Sequence, residues 1–185
     1  MKHFFPLTIL KTLYYSTFHC YLTYCPSILS CSSNKNIDRI SKLQKKAIRI
    51  ITLSSYNAHT EPLFKKLLIV PFDKIIYQSN LQIIHSIYHN YSSSSLSEIF
   101  TRNIDRPADY ELRNNDDFSI PRVKYEYLKR FPLYNLPKIW NTANGYKYLA
   151  NPTFFRSALK TDLLGLSVDD EVLARFENFP YPEFE

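Results

Sequence analysis

The chain has 185 residues, 45% of them hydrophobic and 22% charged, the balance of a globular protein rather than a disordered one. Its two glycines, Gly145 and Gly165, are too few and too far apart for a GxGxxG or GxxxxGK(S/T) phosphate loop, so nucleotide binding by either route is excluded. The formal net charge is +6; from Leu166 onward six acids stand against Arg175 alone, a net of −5, which leaves +11 for the body.

A basic body with an acidic tail points to an anionic partner, or to a tail that folds back on the body. Cys20, Cys25 and Cys31 are odd in number and unevenly spaced. They do not make a disulfide scaffold and fit a reducing, intracellular compartment, cytoplasmic or nuclear. The opening "MKHFFPLTILKTLYYSTF" has a cation and an apolar run, but Lys11 interrupts it and no small-residue cleavage site follows. It reads as an internal helix rather than a signal peptide. No uncharged apolar run reaches the ~18 residues of a membrane span, so no membrane partner is expected.

Pro6 opens a first helix over 6–24, with Leu7, Leu10, Tyr14, Phe18, Tyr21 and Leu22 at helical spacing. Pro26 stops it and "SCSSNKN" is a polar turn. Asn36 is the expected N-cap of a second helix over 37–53. There Ile37, Ile40, Leu43, Ala47, Ile48, Ile50 and Ile51 fall in one arc of about 160°. Arg39, Lys42, Lys45, Lys46 and Arg49 fall in a separate arc of about 120°. "AHTEPLFKKLLIV" gives a short third helix capped by Thr60, with Glu61 and Pro62 in its first turn and Lys65 and Lys66 further on.

Pro71 breaks that helix, and 72–90 form a fourth with Phe72, Ile76, Ile83, Ile84 and Ile87 inward. "NYSSSSLSEIF" is a serine-rich connection. From 101 to 135 there is no sustained helical period, and "DFSIP" and "YEYL" read as brief strands within an irregular segment. "LPKIWNTA" restarts a helix at Pro137, "NPTFFRSALKTDLL" has Asn151 as cap and Pro152 at its first position, and "DDEVLARFENF" is a last amphipathic piece. The expected fold is mainly α. It is a small helical bundle: a helical region 1–100, an irregular loop or short-strand connection 101–136, a C-terminal helical segment 137–164 and an acidic tail 165–185.

Catalytic chemistry is hard to find. Asp116–Asp117 lies in the loop sequence "RNNDDFS", without the apolar strand that would present a metal-binding pair. Asp169–Asp170 heads the last amphipathic piece, where acids are favoured by the exposed N–H groups. His19 with the three cysteines lacks zinc-finger spacing, and Cys20 falls on an apolar helix face. His85 and His89 stand at i, i+4 as a two-histidine metal pair would, with no Glu or Cys placed beside them. No nucleophile signature is present. No enzymatic activity, metal, cofactor or small-molecule substrate is expected of the chain alone. Binding remains: Arg39, Lys42, Lys45, Lys46 and Arg49, with Lys65 and Lys66, could neutralise several phosphates. The 15 Tyr and 13 Phe supply rings for stacking. The bland reading of the same stripe is the wet face of an amphipathic helix in a lysine-rich chain.

The segments "LKTLYYSTFHCYLTYC", "DRISKLQKKAIRIIT" and "YNAHTEPLFKKLLIVPFDKI" resemble, in that order, the region following the palm in reverse transcriptases of LINE-type, jockey-like non-LTR retrotransposons. "DYELRNNDDFSIPRVKYEY", "LPKIWNTA" and "NPTFFRSALKTDLL" continue the likeness, which covers roughly residues 4 to 164. LQKKAIRII, AHTEPLFKKL and PKIWN are its most specific parts. The resemblance implies a thumb-like, non-catalytic C-terminal portion of an RNA-directed DNA polymerase. Its partners would be the missing palm and fingers and an RNA or RNA–DNA backbone. The family's aromatic-x-Asp-Asp motif lies upstream of the matching region; Asn114 and Ser167 stand where its aromatic would be. The family often has a tryptophan after the "LTYC"-like stretch, and "PSILSCSS" has none. The residues leave two other readings: a helical protein-interaction module, or an orphan fragment without function.

Overall fold

The computed structural model describes residues 5–105, 114–143 and 149–165. Helical backbone runs from Leu7 to Thr23 as α1 (Leu7–Tyr14), a π-helical turn (Tyr15–His19) and α2 (Cys20–Thr23). The π turn has a local cause. Tyr14, Phe18 and Leu22 all pack inward yet are spaced by four, which drifts about 40° per step in a 3.6-residue helix. The wider turn absorbs that drift. Cys20 is exposed rather than on an apolar face, its thiol donating to the Ser16 carbonyl at 3.1 Å. A short α3 (Pro26–Leu29) follows a left-handed Cys25 at φ 49°.

Helix α4 (Asn34–Ile51) begins earlier than the sequence suggests. Ser33 takes the cap position, and Asn36 instead donates through Nδ2 to Ser32 Oγ at 3.1 Å. Then come α5 (Glu61–Leu67), where Thr60 holds the expected cap position but its side chain makes no capping bond, and α6 (Phe72–Tyr88). With glycine almost absent, α4, α5 and α6 end on left-handed Leu53, Leu68 and Asn90. Each is followed by an amide donating five residues back: Ser54 to Arg49, Ile69 to Phe64, Tyr91 to Ser86. A side chain at such a position is strained by roughly 1 kcal/mol, and the chain accepts this at two leucines.

Beyond α7 (Ser94–Ile99) the expected strands do not form. Among the described residues there is a single antiparallel bridge, Arg102 with Phe118, flanked by a 3-10 turn at Asn103–Asp105. The partner on the other side of Phe118 is a side chain. The Phe118 N–H donates to Asn141 Oδ1 at 3.0 Å and Asn141 Nδ2 donates to the Phe118 carbonyl at 2.9 Å, so an amide replaces the second strand. "YEYL" falls on a 3-10 turn (Glu126–Arg130) whose Arg130 Nη1 donates to the Ser32 carbonyl at 3.2 Å. Helix α8 (Pro132–Thr142) starts five residues before Pro137, which lies inside it. Helix α9 (Pro152–Leu164) is capped as expected: Asn151 Oδ1 accepts from the Thr153 and Phe154 amides at 2.9 and 3.3 Å. "DDEVLARFENF" and Asp169–Asp170 lie outside the described residues.

The bundle is organised on α6, on which α3, α4, α8 and α9 pack. The inward set therefore differs from a one-sided stripe. Phe72, Ile84 and Ile87 are buried as expected, joined by Ile75, Asn80, Leu81 and His85, whereas Ile76 is half-buried and Ile83 exposed. Leu81, Ile84 and Ile87 share a core with Phe118, Leu136, Trp140, Phe155 and Leu159. Tyr14, Ile48, Ile51, Phe64, Leu67 and Ile69 form a second. Leu22, Val70, Phe72, Ile75 and Leu164 form a third between them.

Candidate nucleic-acid interface

On α4, Ile48, Ile51 and Gln44 are buried and the cationic arc faces outward. Arg39, Lys42, Lys45 and Lys46 are exposed. Arg49 is half-buried, and its Nε donates to the Ala58 carbonyl at 3.0 Å, so it ties the following loop to the helix. Leu43 and Ile50, expected inside, are 57% and 38% exposed. They sit at the far edge of the apolar arc, beside Arg39 and Lys46, because α4 is covered over less than the full width of that arc. From Arg39 to Lys46 the helix rises about 10 Å, the axial span of roughly three phosphates on one strand. Among the described residues the ion pairs are Arg102–Asp105 at 3.5 Å and Lys129–Glu126 at 2.6 Å, so none of their carboxylates neutralises the stripe.

The two lysines of α5 diverge. Lys65 Nζ lies 3.6 Å from where a Cβ on Gly165 would stand, at the carbonyl end of α9. Lys74 Nζ also serves that end, donating to the Leu163 carbonyl at 2.5 Å. Cations there suit the negative end of the helix dipole. Lys66 instead borders a groove of about 170 Å³ formed with Phe5, Leu7, Leu10, Ile51 and Leu53, where α1 meets the end of α4.

Hydropathy misses Gln44. It lies within the apolar arc, between Ile51 and Ile48, and is 0% exposed. Nε2 donates to Tyr14 Oη at 2.9 Å and to the Val70 carbonyl at 3.0 Å, and Oε1 accepts from the Phe72 amide at 2.7 Å. One amide therefore fixes α4 against α1 and against the α5–α6 link, and with it the direction in which the stripe points. An amide within an apolar arc is the signal that could have found it.

The candidate metal pair is built into a wall of rings. His85 is 2% exposed, its ring stacked on Phe155 at 4.0 Å and 4.5 Å from His89. His85 Nε2 donates to the Leu149 carbonyl at 2.6 Å, a bond that fixes the ring and leaves Nδ1 as its lone-pair nitrogen. Among the described residues no three His, Cys, Asp or Glu side chains gather around a point. Burial, opposed by the Leu149 bond and aided by His89, lowers the His85 pKa from its ordinary value. Below the unfolded value of about 6.5 the unfolded chain therefore binds a proton that the folded chain refuses. Stability is expected to fall as the pH drops from about 7.5 to about 5.5, and His85→Gln should flatten that slope in melts across the range. An unchanged slope would mean that His85 titrates as it does unfolded.

Asp116 is exposed in its loop, and the neighbouring Asp117 uses its backbone carbonyl to accept from the Asn103 amide at 2.9 Å. Among the described residues no helix is long and apolar enough to cross a membrane. No protein-family model, curated protein or solved structure matches the chain.

Proposed function

We propose that the chain is the thumb-like, non-catalytic C-terminal part of a LINE-type reverse transcriptase, and that it grips an RNA or RNA–DNA backbone without reading its sequence. The observation that carries this is the stripe of Arg39, Lys42, Lys45 and Lys46, exposed along one side of α4 and left without a carboxylate partner among the described residues. A second feature agrees with a piece of a larger enzyme. Ile9 and Leu13, spaced by four, are 44% and 47% exposed on the outer side of the first helix. In the polymerase reading this apolar face meets the palm. It also favours the alternative of a helical protein-interaction module, in which the same face docks a protein.

Salt separates the two, since phosphate binding releases counterions and an apolar interface does not. Titration of an RNA–DNA hybrid across salt should give a steep negative slope of log affinity against log salt. The triple variant Arg39→Glu, Lys42→Glu, Lys46→Glu should shrink that slope by about 3, roughly 1 for each phosphate no longer neutralised. A folded variant with the affinity and slope of the unaltered chain would sink the backbone-grip reading.

A further inference from the structure

Helix α6 is surrounded by neighbours, yet one half-buried side of it is polar. Gln78, Ser79 and Gln82 lie on that side, and no side-chain hydrogen bond joins them to a described residue. They line a cleft of about 280 Å³ together with Tyr15 and His19 of the π-helical turn and Lys160 of α9. No Asp or Glu is among its described lining residues. Half-buried amides and hydroxyls on the wall of an open cleft are met by water, which a polar ligand can displace where it reproduces those hydrogen bonds. Several of them gathered beside a lysine and a π turn form a surface on which such a ligand can settle.

The donors can be assigned. His19 Nδ1 is sealed from solvent with no partner among the described residues, so Nε2 is the ring nitrogen left to meet the cleft. Burial, and after it the charge of Lys160, lower the His19 pKa from its ordinary value, which keeps the ring neutral at physiological pH. Lys160 supplies the positive charge. Each glutamine offers a donor and an acceptor side by side, the complement of a nucleobase edge. The Tyr15 ring stands edge-on to His19 at 4.9 Å and adds an aromatic surface. The cleft is at the small end of ligand pockets, which admits one nucleotide and not a dinucleotide cofactor.

We propose that this cleft binds a nucleoside 5′-monophosphate, with Lys160 and the His19 Nε2–H on the phosphate oxygens and Gln78 and Gln82 on the base edge. The site needs no glycine loop and uses α6, α9 and the π turn rather than α4, so it stands apart from the backbone-grip reading. The nucleotide is either free or the 5′ end of an RNA strand, and the two share this chemistry.

The test is titration of the full chain with uridine and adenosine 5′-monophosphate, inorganic phosphate and oligouridine with or without a 5′-phosphate. The readout is the NMR shifts of His19 and Tyr15. A mononucleotide is expected to saturate both signals, with inorganic phosphate weaker by roughly tenfold. Lys160 is exposed, so Lys160→Ala leaves the core intact, and it should weaken mononucleotide binding by roughly tenfold or more. Gln82→Leu should remove the advantage of nucleotide over phosphate, and Lys42→Glu with Lys46→Glu should change nothing. Tighter binding of the 5′-phosphorylated oligouridine than of the mononucleotide assigns the site to a strand end; the reverse order assigns it to free nucleotide. Absence of any saturable shift, or undiminished binding by Lys160→Ala, would overturn the proposal.

Discussion

Gln44→Leu is expected to lower the unfolding free energy by about 3–5 kcal/mol, read as a fall in denaturant midpoint at unchanged m. The volume is nearly conserved, so the cost is electrical rather than a cavity. Pro71 occupies the cap position of α6 and carries no side-chain oxygen; the Phe72 amide therefore takes Gln44 Oε1, from another helix, as its acceptor. Leucine leaves that amide and the Val70 carbonyl buried without partners, and each such group costs about 1–3 kcal/mol. Tyr14→Phe should cost less, about 1 kcal/mol, since it removes only the hydroxyl that accepts from Nε2. Burial pushes the Tyr14 pKa up to about 12, so the phenol stays protonated and the bond persists through the neutral range. Neither substitution alters the charge of the stripe. Hybrid binding by the folded fraction should hold while stability falls, which separates positioning from direct binding. A Gln44→Leu chain as stable as the parent would mean that water replaces the amide at all three positions.

The helices α4, α6 and α9 were legible because their signals are local, whereas the short α3 and α7 fall where a stop and a serine-rich connection were expected. Pro6, Pro26 and Pro71 punctuate the chain, Asn151 and Pro152 start α9, and the apolar arc of α4 repeats over five turns. What was not legible depends on groups distant in sequence. Gln44 takes its meaning from Tyr14, Val70 and Phe72. The "DFSIP" segment looked like a strand because its residues favour extension, but its partner is the Asn141 side chain, which no pairing pattern encodes. Pro137 looked like a helix start, whereas the buried Leu136 and Trp140 hold a helix that begins at Pro132 and runs through it. The basic stripe was legible to within one residue, and the exception is again tertiary: Arg49 is bound to the Ala58 carbonyl of a loop that only the fold brings back. The α5 lysines could not be placed, because whether two adjacent side chains serve one face depends on what lies beyond each. Here those neighbours are the end of α9 and the end of α4.

Trp140→Ala should cost about 3–5 kcal/mol, a large share of the roughly 5–15 kcal/mol of a folded domain. The indole is 0% exposed and lies 5.0 Å from the Tyr88 ring and 6.1 Å from His85, in the core that fastens α8, α9 and the Phe118 segment to α6. Its Nε1 has no partner among the described residues, so the loss is packing alone. That gives a graded test. Trp140→Phe keeps a ring and forfeits no hydrogen bond, and should cost roughly 1–2 kcal/mol; a buried, bonded indole would cost more. Because α6 contributes Leu81, Ile84 and Ile87 to this core and Phe72 and Ile75 to another, the damage should not stay in the C-terminal half. A single helical melt at lower temperature is expected, with amides of α4 and α6 losing exchange protection together. If α4 kept its protection while α8 and α9 lost theirs, the two ends of α6 would be separate cooperative units. The stripe on α4 would then be stable without the tryptophan core. In the coupled case, the orientation of the basic face depends on a tryptophan on a different helix, through the length of α6.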